Sequence, residues 1–215
     1  MIDIINLTKK YKKGADVYTA LEDVSMRIEK GDFVVVTGAS GAGKSTLLNS
    51  IGGLIHPSSG EVIYNGINIY RQKGRMIDEY RKKHIGFMFQ QFHLMPYLSV
   101  HENIKLACYA NGHIEKIDLY LENCLLKALS NKYPDELSVG EKQRVAFIRA
   151  IITNPEILIA DEPTGNLDPE NSRILMSLIH DFHGKGGTVI IVSHDVHASE
   201  NATRFLVLDK GRIQQ

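Results

Sequence analysis

Residues 33–48 read FVVVTGASGAGKSTLL. Phe33 to Val36 is a short, nearly unbroken apolar run, the pattern of a strand buried on both faces. Gly38 to Ser45 then fit G-x-x-x-x-G-K-[ST], and Thr46, Leu47 and Leu48 continue into a helical pattern. Strand, glycine-rich turn and helix in this order make an anion nest. The turn GASGAGKST, from Gly38 through Ala39, Ser40, Gly41, Ala42 and Gly43 to Thr46, bends tightly at its glycines and brings N–H groups toward phosphate oxygens. The following helix points its positive N-terminal end at the same place. Lys44 adds a point charge for the outer phosphates, and Ser45 offers an oxygen to Mg²⁺.

Outward from this stretch the chain reads as an α/β protein. Its 215 residues suffice for one large domain or a domain with an insertion. Lysine plus arginine equals aspartate plus glutamate, 25 each, so no global charge draws it to nucleic acid. Cys108 and Cys124 lack close metal-ligand spacing and read as reduced packing residues of a cytosolic protein. The first ten residues, MIDIINLTKK, lack a signal-peptide pattern, and no apolar run has the length of a membrane span. Work at a membrane would therefore need a partner.

Before the glycine-rich turn, Ile2, Ile4 and Leu7 suggest a strand, Lys9 to Gly14 is polar around Tyr11, and Val24, Met26 and Ile28 mark a half-exposed strand. After it, the helix should fade at Gly52-Gly53. Gly60 to Tyr64 reads as a strand ended by Asn65-Gly66, Met76 to Lys83 as a helix, and Ile85 to Phe89 as a buried strand. Past Gln90 the strand runs stop. Ser99 to Ala110 and Glu115 to Ser130 carry helical periodicity, and Ser138 with Glu141 has capping-box spacing ahead of a helix to about Thr153. Ile157 to Ala160 and Thr188 to Val192 are further buried strands around an amphipathic helix at Ser172 to His183, with a last strand at Phe205 to Leu208. The division is 1–89 with about 154–215 as sheet-bearing core, and about 90–153 as an inserted helical part. Buried strands alternating with helices imply a largely parallel sheet.

Ligands of such sheets sit at the carboxyl ends of the strands. Three buried strands end in chemistry: the glycine-rich turn, Asp161-Glu162, and His194. Asp161 suits a Mg²⁺ partner. Glu162 points elsewhere and suits a base for water attacking a γ-phosphate. His194 suits the γ-phosphate itself.

With these residues in view, the chain resembles the ATP-binding subunit of an ABC transporter over essentially its whole length. Residues 38–46 resemble the Walker A segment, ILIADE (157–162) Walker B with its catalytic glutamate, and LSVGEKQR (137–144) the signature that other P-loop classes lack. Gln90 falls at the Q-loop glutamine, Asp168 in the D-loop, His194 at the switch histidine and Tyr11 at the adenine-stacking aromatic. The resemblance implies a P-loop core with an N-terminal antiparallel β part and an inserted helical part. It implies ATP and Mg²⁺, the ion held by Ser45, Gln90 and Asp161. Catalysis would rest on Glu162, His194, Gln90 and Lys44. It implies two copies closing on two ATP molecules, with Ser138, Val139, Gly140 and Glu141 of one copy on the nucleotide of the other and Asp168 linking the sites. Ser138 at a helix start is independently a second anion-binding position. One residue departs from the pattern: Val139 stands where the family has glycine. A helical Val139 would cost only bulk, whereas positive φ there would be strained.

QQFHLMP (90–96) and DEPTGNLD (161–168) look like the branch of lipoprotein-release, macrolide-export and cell-division ATPases. That implies a peripheral position on the cytoplasmic face of the membrane, bound to a permease-type subunit. A regulatory ATPase acting on cell-wall enzymes through a membrane partner would carry the same catalytic residues. A ribosome- or nucleic-acid-associated ABC protein would need a long insertion or tandem ATPase domains, and neither is present. The substrate is not written in this chain.

Overall fold

A computed structural model describes residues 1–14, 16–71, 74–111, 113–193 and 202–214. Its centre is a six-stranded sheet in the order β10-β9-β3-β8-β7-β6. The strands are β3 (Phe33–Thr37), β6 (Ile85–Met88), β7 (Ile157–Asp161), β8 (Thr188–Val192), β9 (Arg204–Asp209) and β10 (Arg212–Gln214). All neighbours are parallel except β10 on β9. The apolar runs are continuous because alternate residues serve two different cores. Phe33 and Val35 face one, Val34 and Val36 the other; Leu158 and Ala160 divide from Ile157 and Ile159 in the same way.

The first core lies under helices α3 (Val100–Asn111), α4 (Ile117–Asn123), α5 (Val139–Ile151) and α6 (Pro169–Gly184). The second lies between the central sheet, α1 (Lys44–Ile51) and an antiparallel sheet ordered β2-β1-β4-β5. That sheet comprises β1 (Ile2–Lys13), β2 (Asp16–Ile28), β4 (Ser59–Tyr64) and β5 (Ile67–Asn68). The helix α2 (Gly74–His84) buries Ile77 and Tyr80 before β6.

β1 runs through the polar stretch around Tyr11 and pairs with β2 as far as Lys13 opposite Asp16, so a ribbon projects past the core. Backbone pairing, not burial, forms that ribbon, and so its sequence lacks an apolar alternation. The helical pattern at 115–130 is broken into a 3-10 turn at 114–116, the seven-residue α4, and a second 3-10 turn at 127–129. Leu125 takes φ 58° there, which ends the helix. The two cysteines are buried and free, and burial pushes the Cys124 thiol up to about 12.

Candidate nucleotide site

The turn after β3 is wedged between two neighbouring strands. Gly38 has φ 146°, and a Cβ on it would lie 2.1 Å from the Leu208 carbonyl oxygen of β9. Gly43, at φ 102°, would put a Cβ 2.2 Å from the Ala20 carbonyl oxygen of β2. Backbone is what each would strike, so neither neighbour can turn aside. We expect Gly43→Ala to lower stability by about 1–3 kcal/mol from overpacking, with left-handed strain added. Thermal unfolding checks this, and an unshifted midpoint would contradict the wedge.

Lys44 opens α1 and is only 7 % exposed. Its Nζ donates to the carbonyls of Gly38 at 2.6 Å and Ala39 at 2.9 Å, folded back over its own loop. Ser45 lies beside Asp161 at the end of β7. Burial pushes the Asp161 carboxyl above its ordinary range and the charge of Glu162 adds to this, while the Ser45 hydroxyl and the Lys44 ammonium oppose it. A partly buried carboxylate next to a second one calls for a cation. One hydroxyl and one carboxylate on a rigid strand–helix junction suit Mg²⁺, which keeps its other positions for phosphate oxygens and water. Among the described residues, no cluster of three His, Cys, Asp or Glu side chains forms a protein-only metal cage.

Glu162 has a left-handed backbone, φ 45°, pinned by its N–H on the Val192 carbonyl at 2.9 Å. Such a conformation costs a non-glycine residue about 1–3 kcal/mol and turns the side chain out of the strand direction. Gln90, just beyond β6, donates Nε2 to Glu162 Oε2 at 3.4 Å. A cleft of about 340 Å³ gathers Lys44, Ser45, Thr46, Gln90 and Glu162 with Ser40, Gly41 and Gly43, and reaches Tyr11 on the ribbon. Tyr11 carries the Lys9 ammonium 5.1 Å from its ring centroid. His194 lies outside the described residues.

The signature residues stand apart from this cleft. Ser138 is the N-cap of α5: its Oγ accepts from the Glu141 N–H at 3.3 Å, and Glu141 Oε2 accepts from the Ser138 N–H at 2.7 Å. Val139 is the first helical residue, is not among the positive-φ positions, and is 44 % exposed. Its valine therefore adds bulk without backbone strain. Gly140 is buried against Asn171 of α6. Asp168 caps α6, accepting from the N–H groups of Glu170 and Asn171 at 3.0 and 2.9 Å, bonds that hold its carboxyl below the usual range.

Four residues at the site were not singled out by sequence. The Tyr18 hydroxyl donates to the Gly41 carbonyl at 3.0 Å, and Tyr18 sits opposite Tyr11 in the ribbon. Gln143 Nε2 donates to the Pro163 carbonyl at 2.7 Å, fastening α5 to the segment after Glu162. Arg144 reaches Asn171. Arg149 holds the carbonyls of Phe92 and His93, both at 2.6 Å. Gln143 and Arg144 are the last residues of LSVGEKQR, so the motif held the signal; Tyr18 needed the ribbon register.

A sequence model described as ABC transporter matches residues 21–165. The chain belongs to the ABC transporter family. It is 37% identical over 219 residues to the lipoprotein-releasing system ATP-binding protein LolD of Buchnera aphidicola subsp. Schizaphis graminum, covering 99% of this chain and 96% of that protein. It is 40% identical to the macrolide export ATP-binding/permease protein MacB of Chlorobaculum tepidum over 99% of its own length, but only 33% of that protein's. This ABC ATPase thus spans about a third of the length of its macrolide-export relatives. A solved dimeric ABC transporter cassette, MJ0796 of Methanocaldococcus jannaschii, superposes with a TM-score of 0.92 at 36% identity, covering 100% of this chain and 97% of that one. The same cassette in a post-hydrolysis dimer bound to ADP and phosphate gives 0.94 at 35% identity, with the same coverage of both chains. Among the described residues, no helix of this ABC ATPase is long and apolar enough to cross a membrane.

Proposed function

We propose that this chain binds ATP in the cleft around Lys44 and hydrolyses it as one half of a two-fold dimer that drives a membrane-embedded permease-type subunit. The observation that carries the reading is the separation of two anion-binding positions. The glycine-rich turn lines the cleft, whereas Ser138 and Val139 at the exposed start of α5 lie outside it. A second copy supplies what one chain lacks, and isologous pairing supplies it twice.

In this reading Lys44 leaves its loop carbonyls for the outer phosphates, and Tyr11 stacks on the base. Ser45, Asp161 and Gln90 would hold Mg²⁺, which would supply positive charge against the phosphates. Glu162 takes a proton from a water that Gln90 helps to orient. The new oxygen–phosphorus bond forms as the bond to the β-phosphate bridge breaks, leaving ADP and phosphate. His194 adds a contact to the γ-phosphate, and Asp168 links the two sites across the interface.

The helical part, about 90–153, receives the membrane partner. Supporting this, Met95 and Tyr97 are exposed, and a groove of about 300 Å³ between Phe87, Phe89, Ala107 and Arg149 adjoins the Gln90 loop. The chain would then sit on the cytoplasmic face through that partner, in lipoprotein release, export or mechanotransmission. Light scattering of the Glu162→Gln chain tests the dimer: mass should double with ATP and Mg²⁺, and a persistent monomer would reject the composite site. Detergent extraction tests the partner, which should copurify as a multi-span protein.

Val139 then meets the partner's nucleotide. Relieving an overpacked contact is worth about 1–3 kcal/mol, so Val139→Gly should tighten ATP-driven association by about tenfold. Association measured across ATP concentrations would show unchanged midpoints if the valine were clear of the interface.

A further inference from the structure

The glycine of the signature and the aspartate of the D-loop are joined within one chain by a side chain that neither motif contains. Asn171 Nδ2 donates to Asp168 Oδ2 at 2.6 Å. Its Oδ1 accepts from Arg144 Nη1, also at 2.6 Å, nearly two turns along α5 from Ser138. A Cβ on Gly140 would fall 2.3 Å from that same Oδ1, so Asn171 fills the place a side chain at 140 would take. Arg144 is 7 % exposed, and its Nε has no partner among the described residues, so Asn171 is its one hydrogen-bonded anchor there. The capping of α6 does not need this amide: Asp168 Oδ1 caps with backbone N–H groups alone.

We propose that Asn171 is a positioning residue that latches the N-terminus of α5 to the N-terminus of α6, so that Ser138 and Asp168 meet a second copy in fixed register. The inference rests on the two-fold ATP dimer. Two exposed helix starts on separate helices make one complementary surface only if their relative position is set before the copies close. Otherwise association must also order them. Two contacts set it here, the amide to Arg144 and the fit into the Gly140 gap, and a third, the amide to Asp168, fixes the Asn171 side chain that makes them. None of the three touches the cleft around Lys44, so nucleotide binding to a single chain should not depend on them.

The test uses the full chain carrying Glu162→Gln, alone and with Asn171→Ala or Asn171→Asp. Affinity of dilute monomer for a fluorescent ATP analogue and ATP-driven association are read separately. Asn171→Ala should leave affinity within about twofold and weaken association by about tenfold or more, the scale expected when the charge-assisted bond between the two helices is removed. Asn171→Asp keeps the volume and the acceptor for Arg144 but sets a like charge against Asp168, and it should weaken association as much. Normal association in either variant rejects the latch. Equal losses of affinity and association, with a lowered melting point, would reduce Asn171 to a folding role and reject it as well. If the Glu162→Gln chain itself stays monomeric with ATP, the dimer reading fails and takes the latch with it; a dimer indifferent to Asn171 rejects the latch alone.

Discussion

Glu162→Gln should slow ATP hydrolysis by about 10²–10⁴-fold, the usual worth of a positioned general base, while nucleotide affinity stays near that of the parent chain. The cause lies in the backbone. Asp161 ends β7 in register with Val192, and the next residue turns left-handed, φ 45°, with its N–H still on the Val192 carbonyl. That turn separates two adjacent carboxylates by role: Asp161 stays by Ser45, while Glu162 swings to Gln90 at 3.4 Å. Glutamine has the same shape and keeps an acceptor for Gln90, so the cleft is preserved. What it lacks is the ability to take a proton from water. Single-turnover hydrolysis read against equilibrium nucleotide binding separates the two effects. Turnover within tenfold of the parent would show that the proton goes elsewhere.

Much of this was legible in sequence because burial on both faces leaves a strong mark. FVVV, ILIA and TVIIV are apolar without alternation, and each proves to divide its residues between two cores. The glycine-rich turn was legible because its glycines answer to hard backbone contacts at Leu208 and Ala20. What stayed hidden was held by pairing or by distant partners. The ribbon that pairs Lys9–Lys13 with β2 is polar, and only the register of β2 against β1 sets Tyr18 opposite Tyr11, with its hydroxyl on the Gly41 carbonyl. Asn171 looks like any polar residue in the first turn of a helix until α5 packs on it with Gly140. The break after α4 turns on Leu125 adopting positive φ, which nothing in its side chain favours. A helical Val139 was one of two readings, and the cap geometry of Ser138 decides it.

Lys44→Ala should weaken nucleotide binding by about two orders of magnitude, yet change the stability of the nucleotide-free chain by no more than about 1 kcal/mol. The contrast follows from what the ammonium touches in each state. Without nucleotide it donates to two carbonyls of its own loop, Gly38 and Ala39. Lys44 itself lines an open cleft, where water can replace the lost donor, so the folded state loses little. With nucleotide, the same nitrogen exchanges carbonyls for phosphate oxygens. Charge-assisted bonds contribute about 1.5–3 kcal/mol each, and two of them account for the predicted loss. Arginine is no substitute, because Lys44 reaches its partners as a compact point charge folded under a tight turn, and a planar fork does not fit there. Lys44→Arg should therefore bind nucleotide nearly as poorly as Lys44→Ala. Calorimetric titration with ATP, beside thermal unfolding without it, reads both halves of the prediction; a large loss of stability with affinity intact would place Lys44 in the fold and remove it from the phosphate site.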